Sequence, residues 1–209
     1  MERMKRKLLT LVCACGLTLS LAAGASAAEF TDVRSGAWYE KQVQAVADKG
    51  IMTGITATTF APDAYVTRAT VLTVLWRMEG SPEPSGIEGF PDVKEGSWCD
   101  KAARWAKEVR IADGYDDGHL GAGDQVTREQ LALFLSRYTY YKGGALAEGV
   151  LSLYPDGDKV SKWAVDGMKH AVGAGLITGT SQNTLSPLGY ATRAELAVIL
   201  DRLMTPAQG

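Results

Sequence analysis

One short phrase recurs three times in this chain: VTRAT at 66–70, VTREQ at 126–130 and ATRAE at 191–195, each followed by a long apolar run. Trp38, Trp98 and Trp163 each stand 30 residues before the Arg of a phrase (Arg68, Arg128, Arg193). Each Trp also lies 16 residues before a Gly (Gly54, Gly114, Gly179) that closes GIMTG, RIADG or GLITG. An apolar residue stands eight before each Arg: Phe60, Leu120 and Leu185. Upstream of each Trp come an aromatic and an Asp, in FTDV, FPDV and YPDG. Spacings held through three copies identify one structural unit used three times, and they constrain the fold more than any single residue does.

The units span residues 29–84, 88–147 and 150–209, separated by the turn-rich stretches GSPEPSGIEG and KGGALAEG. Apolar periodicity predicts two helices in each. The first starts near the Trp, as in WYEKQVQAVADKG with Val43, Val46 and Ala47 at helical spacing, and ends at a glycine such as Gly50 or Gly175. Ser97 and Ser161 are candidate N-caps. The second starts at the TR pair, where Leu131, Leu133, Phe134, Leu135 and Tyr138 parallel Leu196, Val198, Ile199, Leu200 and Leu203. Between them, TGITATTFAPDAYV is too rich in Thr and Gly for helix and predicts a loop with a short strand pair around Phe60. A two-helix unit of about 55 residues buries little alone. Three such units can share one core if the strongly apolar second helices meet about a common axis. The expected fold is all-α and pseudo-threefold, with grooves between neighbouring units.

Residues 1–28 read as a secretory signal peptide: a basic start at Arg3, Lys5, Arg6 and Lys7, an apolar run from Leu8 to Ala23, and the Ala25-Ser26-Ala27 cleavage pattern. The apolar run falls short of a span of about 20 residues, which argues against a retained anchor. It also continues well past Cys15, which argues against a lipoprotein box. Without the four basic residues and one acid of that segment, 18 basic and 23 acidic residues remain, a net charge of −5. Such a balance disfavours nucleic acid as a partner. Cys99 is then the lone cysteine, so no intrachain disulfide forms and packing must hold the fold.

A Thr before an apolar run reads as a helix N-cap, and Thr127 with Gln130, like Thr192 with Glu195, reads as a capping box. The Arg that follows is unexpected, because a cation in the first turn opposes the helix dipole. It either points outward or pairs with the Asp of the F-x-D phrase, or it joins the first-turn amides in a seat for a carboxylate. Trp38, Trp98 and Trp163 read either as core residues or as flat platforms for a sugar face. Trp76 and Trp105, mid-helix and outside the pattern, are expected in the core. Gly54, Gly114 and Gly179 suit turns with positive φ, and Asp32, Asp92 and Asp156 suit loop or helix caps. His119 and His170 occupy non-equivalent positions, and Cys99 has no companion for a metal site. DGYDDG lacks the full calcium-loop spacing, and neither a nucleophile elbow nor a phosphate loop is present. No catalysis, cofactor or metal is therefore expected.

The aromatic-x-Asp, Trp, GIMTG or GLITG, F-x-P and TRAE phrases, in three copies behind a signal peptide, closely resemble the S-layer homology (SLH) domain family. The resemblance covers essentially all of the chain after residue 28. It implies a three-pronged spindle about a central three-helix bundle, in a secreted protein of the bacterial cell wall or cell surface. It further implies non-covalent wall anchoring through an acidic secondary cell-wall polysaccharide, often pyruvylated, bound in grooves between units. By position it makes Arg68, Arg128 and Arg193 the anion-binding residues and places Trp38, Trp98 and Trp163 on the sugar side. Gly54, Gly114 and Gly179 would let the backbone approach. The copies depart from the pattern at Thr70 and Gln130 in place of Glu, at Ala122 in place of Pro, at GYDDGHL and at Gly157, so the three grooves are expected to be unequal. The sequence ends at Gly209, close behind the third unit. That ending leaves open a second reading, a structural or adaptor protein whose repeats bind another envelope protein.

Overall fold

Two α-helices form in each unit of the chain, in a computed structural model that describes residues 29–205. They are α1 (Glu40–Asp48) and α2 (Arg68–Met78), α3 (Asp100–Glu108) and α4 (Arg128–Tyr141), and α5 (Val165–Gly173) and α6 (Arg193–Met204). Short 3-10 turns at Leu151–Leu153, Gly157–Lys159 and Lys162–Ala164 lead into α5. Gly157 is required there, since a side chain would strike the Leu151 carbonyl. The signal-peptide reading of residues 1–28 lies outside the described residues.

The second helices begin where the TR phrases predict. Thr67, Thr127 and Thr192 each accept the N3 amide through the side chain, and the last two close full capping boxes with Gln130 and Glu195. The first helices begin differently from expectation. Tyr39, Cys99 and Ala164 stand at their N-caps with no side-chain cap, so Ser97 does not fill that role, and Ser161 stands at the N-cap of the 3-10 turn that runs into α5, without a side-chain cap bond. In α1 and α3 the first helical residue supplies the carboxylate instead: Glu40 accepts the Gly36 amide at 2.7 Å and Asp100 the Gly96 amide at 2.9 Å. Ser161 is held by the buried Glu129 of α4, which accepts from its amide at 2.9 Å and its hydroxyl at 2.8 Å. The first helices end in a left-handed residue, Gly50, Arg110 or Gly175.

The strand pair expected around Phe60 does not form, and no strand occurs among the described residues. Isolated bridges join different units instead: Tyr65 with Thr192, Thr67 with Gln125, and Thr127 with Tyr190. Three hydrogen bonds close a ring, from the Val66 amide to Ala191 (3.0 Å), the Ala191 amide to Val126 (3.1 Å) and the Val126 amide to Val66 (2.9 Å). Partners that a strand pair would have found within one unit are supplied by the neighbours.

From this ring rise α2, α4 and α6, each buried over most of its surface. Each first helix packs on the second helix of the preceding unit, α3 on α2 and α5 on α4, and α1 completes the circle on α6. One continuous apolar core results, which includes Leu75, Leu135 and Leu200 at equivalent positions with no exposed surface.

Candidate functional site

The arginine after each N-cap reaches across a unit boundary. Nε of Arg68 donates to the Leu120 carbonyl, that of Arg128 to Leu185 and that of Arg193 to Phe60, all at 2.7 Å. The acceptor is the apolar residue eight before the next Arg in the cycle. The same loop is pinned from its own unit by the F-x-D carboxylate. Asp32 accepts the Phe60 and Ala61 amides, Asp92 those of Leu120, Gly121 and Ala122, and Asp156 those of Leu185 and Ser186. Burial pushes the Asp32 and Asp92 carboxyls up, but these amide bonds outweigh it and hold both below the ordinary aspartate value. Ala122, where the other copies have proline, keeps an amide, and Asp92 accepts it at 3.1 Å.

Neighbouring loops also take the helix N-terminal amides. Arg68 and Ala69 donate to the carbonyls of Asp124 and Ala122, Arg128 and Glu129 to Gly189 and Pro187, and Arg193 and Ala194 to Ala64 and Pro62. With the third amide on the Thr hydroxyl, the first turn has no free donor for a ligand. The anion seat built from helix amides is therefore corrected: only the terminal guanidinium nitrogens can face an outside group.

Residues from all three units converge in two open grooves. The groove at Trp38, of about 560 Å³, combines Trp38 of the first unit, Arg128 and the third unit's Gly179 loop. The groove at Trp163, of about 760 Å³, combines Trp163 of the third unit, Arg68 and the second unit's Gly114 loop. By the same cyclic order the remaining set is Trp98, Arg193 and Gly54. There Arg193 turns into the scaffold, with Nη2 on the Thr53 carbonyl at 2.7 Å and its guanidinium 4.6 Å from the centre of the Phe60 ring.

The repeated tryptophans are exposed, at 64% for Trp38, 66% for Trp98 and 54% for Trp163, against 3% for Trp105, so they are not core residues. Trp105 is in the core as expected, whereas Trp76 is half-buried and donates to the Pro82 carbonyl at 2.8 Å. The glycines pack tightly. A Cβ at Gly54 would meet Phe30 at 2.6 Å, and at Gly114 and Gly179 it would meet Phe90 and Tyr154 at 3.0 Å. Gly114 and Gly179 also have positive φ, 87° and 86°. His170 is buried, accepting the Ala147 amide at 2.9 Å and lying 3.0 Å from the Thr139 hydroxyl, and burial lowers its pKa. It ties down the linker before the third unit.

A second repeated arginine escaped the sequence reading. Arg77, Arg137 and Arg202 stand nine residues after the TR arginines. Their Nη1 atoms donate to the carbonyls of Ile51, Ile111 and Leu176 at 3.3, 3.3 and 3.1 Å, and Arg137 and Arg202 line the two grooves. Constant spacing, the signal that exposed the first set, could have found them. The charges are compensated unequally. Arg128 is paired with Glu195 at 2.6 Å, and Arg137 with Asp113 at 3.0 Å. Arg68 is 5% exposed and stacks 4.4 Å from the centre of the Tyr115 ring and 5.1 Å from that of Phe134. Among the described residues, no carboxylate lies within 4.0 Å of Arg68 or Arg202, and no helix is long and apolar enough to cross a membrane.

The model of the S-layer homology domain matches residues 29–72, 89–132 and 147–197. The chain is 30% identical over 179 residues to the exoglucanase XynX of Acetivibrio thermocellus, covering 84% of this chain and 16% of that protein. It is 30% identical over 182 residues to the surface-layer 125 kDa protein of Lysinibacillus sphaericus, covering 85% of this chain and 15% of the relative. To the cellulosome-anchoring protein of Acetivibrio thermocellus it is 25% identical over 147 residues, covering 68% and 33%. The chain thus spans only a small part of the length of the first relatives.

Proposed function

Because the chain belongs to the S-layer homology domain family, we propose that it is a non-catalytic cell-surface module holding an acidic, pyruvylated secondary cell-wall polysaccharide between its units. The observation that carries this reading is the convergence, in each of two open grooves, of one exposed indole, two arginines and a glycine loop drawn from three different units. An indole face packs on the apolar face of a sugar ring, and guanidinium groups bind carboxylates by charge-assisted hydrogen bonds. The chain's similarity to a surface-layer protein and to a cellulosome-anchoring protein supports the same reading. The similarity to an exoglucanase does not make the chain an enzyme, since only 16% of that protein is matched. Two grooves acting on one polymer would supply avidity that single sugar contacts lack. A protein partner, the adaptor reading, would call for a continuous apolar face rather than a groove lined by paired arginines.

Co-sedimentation with purified wall sacculi, with and without their secondary polymer, tests the proposal. Trp38→Ala combined with Trp163→Ala is the informative variant, because both side chains are more than half exposed and make none of the inter-unit hydrogen bonds described above. Replacing the TR arginines would remove inter-unit bonds as well. Binding is expected to require both the polymer and the tryptophans, and to weaken as salt screens the anion. Binding indifferent to both would sink the wall-glycan reading.

A further inference from the structure

The two grooves share one plan but differ in which arginine is left free. Each holds a TR arginine and a second arginine from the position nine residues after a TR arginine. In the Trp38 groove the TR arginine, Arg128, is neutralised by Glu195 at 2.6 Å. The second, Arg202, faces Thr178, whose hydroxyl lies 3.5 Å from Nη1. In the Trp163 groove Gln130 takes the place of Glu195, with its Oε1 on the Thr127 amide, and among the described residues no carboxylate lies within 4.0 Å of Arg68, on which Asp124 and Asp92 act only from further off. The second arginine there, Arg137, is neutralised by Asp113, which occupies the position of Thr178 in the repeat. In each groove one arginine is paired with a carboxylate, but the paired arginine is the TR arginine in one and the second arginine in the other.

We infer that the two grooves hold the anionic group of the glycan at different places, on Arg202 beside the Thr178 loop in the Trp38 groove and on Arg68 at the floor of the Trp163 groove. This rests on the wall-glycan reading and adds to it the residue that fixes where the charge is read. A guanidinium already paired with a carboxylate offers little net charge to a second one, whereas an unpaired one forms strong charge-assisted hydrogen bonds. Arg68 is largely buried and Arg202 is exposed, so the sugar carboxylate enters deep in one groove and stays near the loop in the other. The two grooves therefore receive the polymer in different registers. Asp116 and Asp117 also line the Trp163 groove, so it is the weaker of the two for an anion.

The chain itself supplies the test substitutions. Gln130→Glu places on Arg68 the carboxylate that Glu195 places on Arg128, and Thr178→Asp gives Arg202 the partner that Asp113 gives Arg137. Neither removes an inter-unit bond of a TR arginine. The probe is a methyl glycoside bearing a pyruvate ketal, titrated into the chain of residues 29–209 while the Trp38 and Trp163 indole N–H resonances are followed. In the unaltered protein both resonances should shift. Gln130→Glu should weaken the affinity read at Trp163 at least tenfold and leave that at Trp38 unchanged, and Thr178→Asp should do the reverse. If both indoles shift but either substitution weakens both grooves, or neither, the assignment of the free arginines is overturned. If neither indole shifts in the unaltered protein, the wall-glycan reading fails with it.

Discussion

At the scale of single residues, equivalent positions in the three units act as an internal control. Gly50 and Gly175 end α1 and α5 in the left-handed region, with φ of 65° and 68°, and at the same point after α3 stands Arg110, with φ of 59°. All three ends make the same bond back into the helix, from Ile51 to Val46, Ile111 to Ala106 and Leu176 to Ala171. A residue with a Cβ is strained in that conformation by about 1–2 kcal/mol, and glycine is not. Arg110 is exposed and lies within 4.0 Å of no carboxylate among the described residues. Arg110→Gly is therefore expected to stabilise the protein by about 1 kcal/mol, less the extra freedom glycine has in the unfolded chain. Urea denaturation would show a higher midpoint at unchanged slope, and a lower midpoint would contradict this account of the α3 terminus. The TR arginines show where the sequence stopped being readable. Their position, helix phase and cap were legible because each depends on a residue type at fixed spacing. Their partners were not, because the carbonyls of Phe60, Leu120 and Leu185 are backbone atoms that leave no mark on residue identity.

At the scale of elements, the three inter-unit helix pairs are alike in topology and unlike in closeness. On α5, Gly167 stands where α1 has Gln42 and α3 has Ala102. A Cβ at Gly167 would lie 2.9 Å from Leu133 Cα and 3.1 Å from Leu133 N, both backbone atoms of α4. Helix propensity alone favours replacing a helical glycine, by at most about 1 kcal/mol and by less here in the first turn of α5. The close approach opposes that gain, since forcing a side chain against packed backbone costs about 1–3 kcal/mol. Gly167→Val is thus expected to be net destabilising by about 1–3 kcal/mol, read as a lowered denaturation midpoint. A stabilised variant would mean that α5 can slide on α4 without loss. Periodicity made the six helices legible but not their pairing. Nothing in an amphipathic stripe says that α3 packs on α2 rather than on α4, and the bridges that replaced the expected strand pair join segments over 50 residues apart.

At the scale of the whole molecule, the last unit packs on the first. In an open array of repeats each unit contacts only its chain neighbours, and end units can melt separately. Here α1 packs on α6, Arg193 reaches the Phe60 carbonyl, and the bonds among Val66, Val126 and Ala191 form a closed cycle. Every unit has two partners, so removing one exposes apolar surface on both others and breaks the ring. Unfolding is expected to be all-or-none, with tryptophan fluorescence and far-ultraviolet circular dichroism giving superimposable urea curves. Leu75, Leu135 and Leu200, equivalent and fully buried, provide the decisive comparison. Each replacement by Ala should lower stability by about 2–5 kcal/mol. Each should also shift the entire transition at constant slope, whichever unit carries it. If Leu75→Ala instead splits off an early step with the first unit's share of the signal, the contacts between the third and first units do not couple the ring. The grooves at Trp38 and Trp163, each built from all three units, would then come apart before the rest of the molecule unfolds.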